Sequence, residues 1–256
     1  MQCSQKHRDA TMKKNRKKVQ RESGVRYSVL TKLPYFDCTR FHIVDPMHNL
    51  PLGTAKHIMN VWVTNEVITQ ADFDKIQEIL DSFVVPNNVG RIPYRIGSGF
   101  SGFKADQWQS WTTIFSLVSL KGVLPLEHYS CWHLHVHACQ ILCNRTLSVR
   151  SLLKADDLLT EFCLSFTALY GCEKNTPNMH MHLHLKDSIL DYGPVYAFWL
   201  FSYERYNGIL GAVPTNNKVI EAQLMKRFIC DQQLCDESLT CELQASMARL
   251  SFPIPL

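Results

Sequence analysis

Long apolar runs are missing from this sequence. No stretch approaches the roughly 18–20 residues that a membrane-spanning helix needs, and the N-terminal residues MQCSQKHRDA lack the apolar core of a secretory signal. The ten cysteines include no CxxC pair, and their nearest spacings, Cys139–Cys143 and Cys230–Cys235–Cys241, match no common zinc pattern. We therefore expect a soluble, intracellular protein with reduced thiols and no membrane partner.

A strong overall charge is also missing. The formal net charge is only +4, so the molecule as a whole does not indicate nucleic-acid binding. With 46% hydrophobic residues, the chain can nevertheless bury a substantial core. Positive charge is concentrated at 1–23, a basic N-terminal segment. It either docks on phosphates or acts as a nuclear-import signal, and the alternative is a solvated helix face or a frayed terminus. Its six cations fall within nine positions: Lys13, Lys14, Arg16, Lys17, Lys18 and Arg21.

Hydrophobic periodicity predicts a mostly α protein with a small β remnant. Phe41, Ile43 and Asp45 alternate with His42 and Val44, which predicts one short strand. Helical spacing follows at 47–69 and 71–83, and no internal repeat or low-complexity tract is present. From residue 104 onward glycines and prolines separate seven predicted helices: Ala105–Val118, Leu126–Leu147, Leu152–Tyr170, Asn178–Asp191, Val195–Leu210, Asn217–Asp231 and Glu237–Leu250.

The segment 85–103 is rich in Gly, Pro, Asn and Ser, and this composition predicts a loop. Arg91 and Arg95 lie within it with Tyr94 between them. A basic loop with an interleaved aromatic ring is suited to tracking a nucleic-acid backbone, while an ordinary ordered connection is the alternative.

Glu204 follows the almost wholly apolar run 195–203. On a helix it shares a face with Leu200 and Phe201, and a carboxylate there loses hydration unless a cation or a metal ion pairs with it. Arg205 points about 100° away on a helix and is a poor partner. The alternatives are a metal ligand, an ion pair with another element, or a surface glutamate.

Eleven histidines are a high count, and six of them alternate in WHLHVHAC and MHMHLHL. On strands they would line one face and offer a metal site. On helices, which the surroundings favour, only His133–His137 and His180–His184 share a face. The glutamate of an HExxH motif is absent from both, so packing is favoured and no zinc site is predicted.

Four blocks resemble, in order, the transposases of CACTA-type (En/Spm-like) DNA transposons. They are DPMHNLPLGTAKH at 45–57, GRIPYRIGSGFSGFKADQWQSWT at 90–112, LKGVLPLEHYSCW at 120–132 and TPNMHMHLHLKDSILDYGPVYAFWLFSYERYNGILG at 176–211. The resemblance covers roughly residues 24–231. It implies a partial RNase H-like core with a large helical insertion, and a DDE carboxylate triad that cuts and joins DNA. It also implies nuclear localisation and DNA as a partner, with homo-oligomerisation as a further expectation.

Two carboxylates are carried over from the family. Asp45 matches the second catalytic aspartate and Glu204 the closing glutamate, so both are expected to bind Mg²⁺ or Mn²⁺ within roughly 4–8 Å of each other. His48, His180 and His184 are expected beside the metal ions. The partial catalytic region is predicted at 24–231 and the tail at 232–256. Within the catalytic region we expect a strand and helix at 41–69, a helical lobe at 104–193 and a closing helix at 194–211.

The first catalytic aspartate of the triad has no match. Asp37 lies too close to Asp45, and Asp9 sits in a polar segment. The sequence therefore predicts the C-terminal part of a transposase that does not cleave DNA by itself. The alternatives are a transposase completed by an upstream half, a non-catalytic relic that binds DNA or protein, and an unrelated helical protein that binds metal through its histidines.

Overall fold

The computed structural model describes residues 2–37, 40–86, 89, 96, 99–216 and 218–234, and they divide into two compact units, Met1–Leu200 and Phe201–Leu256. The first unit holds eleven described α-helices: α1 Gln2–Asp9, α2 Lys13–Ser23, α3 Pro46–Asn49, α4 Lys56–Thr64, α5 Gln70–Asp81, α6 Ala105–Ser110, α7 Ser116–Leu120, α8 Leu126–Leu142, α9 Val149–Tyr170, α10 Pro177–His182 and α11 Leu185–Tyr192. The second holds α12 Phe201–Ala212 and α13 at 220–234.

Two π-helical turns join neighbouring helices into longer rods. Leu50–Ala55 connects α3 to α4, and Trp111–Phe115 connects α6 to α7. Pro51 explains the first turn, because proline has no backbone N–H and its ring clashes with the preceding helical turn. A wider turn relieves the clash, and such turns are frequent at functional sites.

The mostly α prediction is confirmed, but the strand predicted over Phe41–Asp45 is wrong: the described residues contain no strand. Phe41 and Ile43, which would share one face of such a strand, are 48% and 45% exposed, whereas Val44 is 8% exposed. A single strand without a neighbour leaves its backbone donors and acceptors unpaired, so an extended segment leading into α3 is the stable alternative.

Aromatic side chains form the centre of the first unit. Four of the five tryptophans are fully buried, and Trp62 packs edge-on against Trp132 with ring centroids 5.5 Å apart. The indole N–H of Trp62 donates to the Tyr170 hydroxyl over 2.7 Å, which links α4 to α9. Helices α8 and α9 pack along their lengths and carry much of this core.

The helical character predicted beyond residue 104 is confirmed for the part that the structure describes, with two breaks. The predicted helix Asn178–Asp191 is divided between α10 and α11, and the predicted helix Val195–Leu210 begins only at Phe201, after a 3-10 turn at Val195–Ala197. The predicted helix at 237–250 and the tail from 235 onward lie outside the described residues. Among the described helices, none combines the length and the apolar character needed to span a bilayer.

Candidate functional site

Two segments that are distant in sequence, 45–57 and 174–200, meet in the first unit and form what we call the junction. Both lie largely within blocks that carry the transposase resemblance. Besides the contact of Asp45 with Leu200 described below, side chains of the first segment reach polar groups of the second at three further places. These contacts are Asn49 Nδ2 donating to the Asn178 carbonyl oxygen (2.9 Å), Thr54 Oγ1 with His182 Nε2 (2.9 Å), and His57 Nε2 with the Lys174 carbonyl oxygen (2.8 Å).

Asp45 holds one end of the junction as the N-cap of α3. Its Oδ1 accepts from the backbone N–H of Met47 over 3.2 Å and from that of Leu200 over 3.0 Å. Its Oδ2 accepts from the backbone N–H of His48 over 3.0 Å and contacts His48 Nδ1. Pro46 at the first helical position suits this cap, because its missing N–H would have had no helical partner.

The geometry of Asp45 bears on the expected metal site. A carboxylate offers about four lone-pair sites, and four donors of the chain itself already contact the two oxygens. An ion at Asp45 would have to displace part of the cap. Among the described residues, no cluster of three or more His, Cys, Asp or Glu side chains is arranged to hold a metal ion. These residues fit a helix cap better than a Mg²⁺ site, and the Mg²⁺ assignment stays a prediction.

Gly53 is a point of close approach between the two segments. A Cβ atom built on Gly53 would lie 2.2 Å from Asn178 Nδ2 and 2.7 Å from the His48 carbonyl oxygen. Real Cβ atoms do not approach other heavy atoms so closely, and one of these neighbours belongs to the backbone. The junction therefore depends on the absence of a side chain at Gly53.

Two buried imidazoles lie behind the junction. His135 on α8 and His182 on α10 are fully buried and stacked, with ring centroids 5.7 Å apart and planes inclined by 26°. Burial lowers the pKa of His135 to about 3 and the pKa of His182 well below its usual value, and the neighbouring His135 lowers the second further. Both rings are therefore neutral at physiological pH, in keeping with a packing role.

The other predicted site residues take separate positions. His48 contacts Asp45, whereas His180 and His184 lie on the exposed side of α10 and the turn before α11, and their place beside metal ions stays a prediction. Glu204 lies in the second unit on α12, a helix without buried residues, and its side chain is exposed. The apolar environment inferred for Glu204 from the sequence is thus wrong, and its pairing with Asp45 stays a prediction. Arg91 and Arg95 lie outside the described residues.

Comparison of the chain with protein-family models, with curated proteins and with solved structures finds no match. The resemblance to CACTA transposases therefore remains a hypothesis that rests on the quoted blocks. The structure adds that two of those blocks, although more than a hundred residues apart, are in direct contact.

Several residues of the junction were not singled out by sequence reasoning. They stand inside the quoted blocks, but single polar residues in a helical pattern do not reveal a partner more than a hundred positions away. The sequence did carry one signal. A glycine and small polar residues stand in a buried helical segment that a proline interrupts, and such residues indicate a position of close packing. The residues concerned are Asn49, Gly53, Thr54 and Asn178.

Proposed function

We propose that this chain is a transposase-derived protein that binds DNA in the nucleus without cutting it. The observation that carries the proposal is the basic surface of α2, KKNRKKVQRES, in which no side chain is buried. On a helix with 100° between residues, five of its six cations fall within an arc of about 140°. They form one positive face, which consists of Lys13, Lys14, Lys17, Lys18 and Arg21.

The charges of this face are mostly available to an external anion. In the described part of the chain, the only carboxylate within 4.0 Å of the face is Glu22, at 3.9 Å from Lys18 Nζ. Arg16, beside the face, donates to the Ala10 carbonyl oxygen over 2.7 Å and keeps its charge. Phosphates of a nucleic-acid backbone are the common biological ligand for such a helix face. A nuclear-import signal would use the same cations.

The absence of cleavage is supported by the geometry of Asp45. Its carboxylate caps α3 and ties the chain near Leu200, so its charge serves the fold of the junction. An Asp45 carboxylate committed to this cap, beside blocks that resemble the family's and a basic segment, supports DNA binding without cleavage by this chain.

Replacing the six cations at 13–21 of α2 by glutamine should flatten the salt dependence of DNA binding. Each phosphate contact contributes about −0.9 to the slope of log K against log salt concentration, so the variant loses up to about 5 units of slope. Glutamine has nearly the helix propensity of lysine, so α2 stays helical. Fluorescence anisotropy of a labelled duplex, measured across a salt series, gives the slope.

The matched control removes the same number of charges elsewhere. Six exposed cations outside α2 serve for this purpose: Lys32, Lys121, Arg145, Arg150, Lys154 and Lys218. The control lowers the net charge equally, and we expect it to change the slope by less than about 1 unit. Equal slopes for the two variants would show that binding follows net charge and not the face on α2, and would refute the proposal.

A further inference from the structure

The exposed histidines of the junction have a geometry that packing alone does not explain. His180 and His184 are four positions apart, and their rings face each other with centroids 5.1 Å apart. The two Nε2 atoms are 3.4 Å apart. This distance is long for a hydrogen bond, since N–H donors usually lie about 2.9–3.0 Å from their acceptors. Two imidazole nitrogens bound tetrahedrally to one zinc ion at about 2.05 Å would lie about 3.3 Å apart.

The fold places both histidines on the same exposed side of the chain. His182, between them, is fully buried and contacts Thr54 over 2.9 Å, so its neighbours two positions away point outward. Thr176 caps the start of α10 through the N–H of Met179. Helix α10 ends at His182, and His184 stands immediately before α11 with φ −107° and ψ −3°. The backbone that carries the two rings is therefore held by the buried side chains of His182 and Leu185, one on each side of the turn.

The surroundings suit a cation. His184 lines a cleft of about 680 Å³ together with Asp187 and Asp191. The one guanidinium on this cleft, that of Arg40, is paired with Asp191 over 3.0 Å. Asp187 therefore adds negative charge to the cleft that His184 lines.

The chain offers a matched pair with the same spacing and a different environment. His133 and His137 on α8 have ring centroids 5.8 Å apart, and His137 is half-buried. Burial lowers the pKa of His137, and the nearby charge of Lys154 lowers it further. A metal cation would meet the same repulsion, so this second pair is the poorer chelate.

We propose that His180 and His184 form a two-imidazole chelate for a borderline divalent cation, with zinc as the biological ion and water in the remaining positions. Imidazole nitrogens favour zinc, copper and nickel over magnesium. The site is therefore chemically distinct from any Mg²⁺ site at Asp45 and does not depend on DNA binding by α2.

Calorimetric titration of the full chain with zinc sulfate, in the presence of a phosphine reductant, tests the proposal. His180→Ala and His184→Ala should each weaken zinc binding at least about tenfold, since even the loss of a group that only supports a ligand costs 10–100-fold. His133→Ala and His137→Ala should change it less than twofold. All four side chains are at least partly exposed, so we expect the variants to retain the fold, and circular dichroism checks this.

Cysteine thiolates are the competing ligands, and cobalt distinguishes them. Cobalt(II) bound to imidazole and oxygen shows no sulfur-to-metal charge-transfer absorption, and we expect none for the wild-type complex. That absorption, undiminished zinc affinity in the His180→Ala/His184→Ala double variant, or a wild-type chain that takes up no zinc would each overturn the proposal.

Discussion

Lowering the pH from about 6.5 to about 4.5 should reduce the free energy of unfolding by roughly 3–5 kcal/mol through His135 and His182. An unfolded histidine titrates near pH 6.5, whereas burial lowers the pKa of His135 in the folded state to about 3 and lowers that of His182 as well. Between these values the unfolded chain binds more protons. The two neutral imidazoles therefore cost no stability above about pH 6.5, and the free energy of unfolding decreases as the pH falls below that value.

The size of the effect follows from linkage. Each imidazole that is neutral when folded and charged when unfolded contributes about 1.4 kcal/mol per pH unit. Since single domains are stable by about 5–15 kcal/mol, two such groups account for a large part of acid unfolding. Urea denaturation at several pH values between 7 and 4.5 measures the slope of the free energy of unfolding against pH.

Substitutions distinguish the contribution of the two imidazoles to this pH dependence from that of other acid-sensitive groups. His135→Phe and His182→Gln should each reduce the slope by about 1.4 kcal/mol per pH unit, whatever they do to stability at pH 7. Asp72, whose pKa is lowered by hydrogen bonds from Thr69, also loses stabilisation in acid, but equally in wild type and variants. His133→Gln, at an exposed position, should leave the slope unchanged. A slope in the two buried variants equal to that of wild type would refute the prediction.

Gly53→Ala should destabilise the protein by about 2–3 kcal/mol, the cost of forcing an extra methyl group into a packed interior. The added Cβ would meet Asn178 Nδ2 at 2.2 Å and the His48 carbonyl oxygen at 2.7 Å. The side chain of Asn178 can move, but the His48 carbonyl oxygen belongs to the backbone and moves only with the chain. Thermal and urea denaturation both measure this loss of stability.

A second helical glycine supplies the control. A Cβ on Gly208 of α12 meets no atom within 4 Å, so Gly208→Ala should stabilise its helix by about 0.5–1 kcal/mol. The two substitutions are chemically identical, and we expect opposite signs. A neutral or stabilising Gly53→Ala would mean that the segments 45–57 and 174–200 are not in close contact.

Local signals in the sequence predicted much of the fold. Glycines and prolines between apolar-periodic stretches placed the helices beyond residue 104, and Asp45-Pro46 is a standard helix start. The alternation over Phe41–Asp45 failed because five residues fit a strand pattern by chance, and no described strand pairs with them. Extended segments before a helix cap show the same local pattern.

The candidate site depends on long-range contacts, which local patterns do not reveal. In MHMHLHL the three histidines look equivalent, yet His182 is fully buried while His180 and His184 are exposed. The difference arises because His182 meets Thr54, more than a hundred residues away. Likewise, the apolar residues before Glu204 suggested burial, but α12 begins at Phe201 and has no buried residue. Identifying the two segments as important was within reach of the sequence, whereas their contact was not.

Incubation of supercoiled plasmid with the purified chain and Mg²⁺ or Mn²⁺ tests most directly whether this protein binds DNA without cutting it. Asp45→Asn is the matched variant, because asparagine caps helices as well as aspartate does and removes the negative charge that a metal site requires. We expect no nicked or linear product from either protein, at concentrations where both retain the DNA. Metal-dependent cleavage by the wild-type chain that is lost in Asp45→Asn would contradict the account and would make Asp45 a catalytic metal ligand.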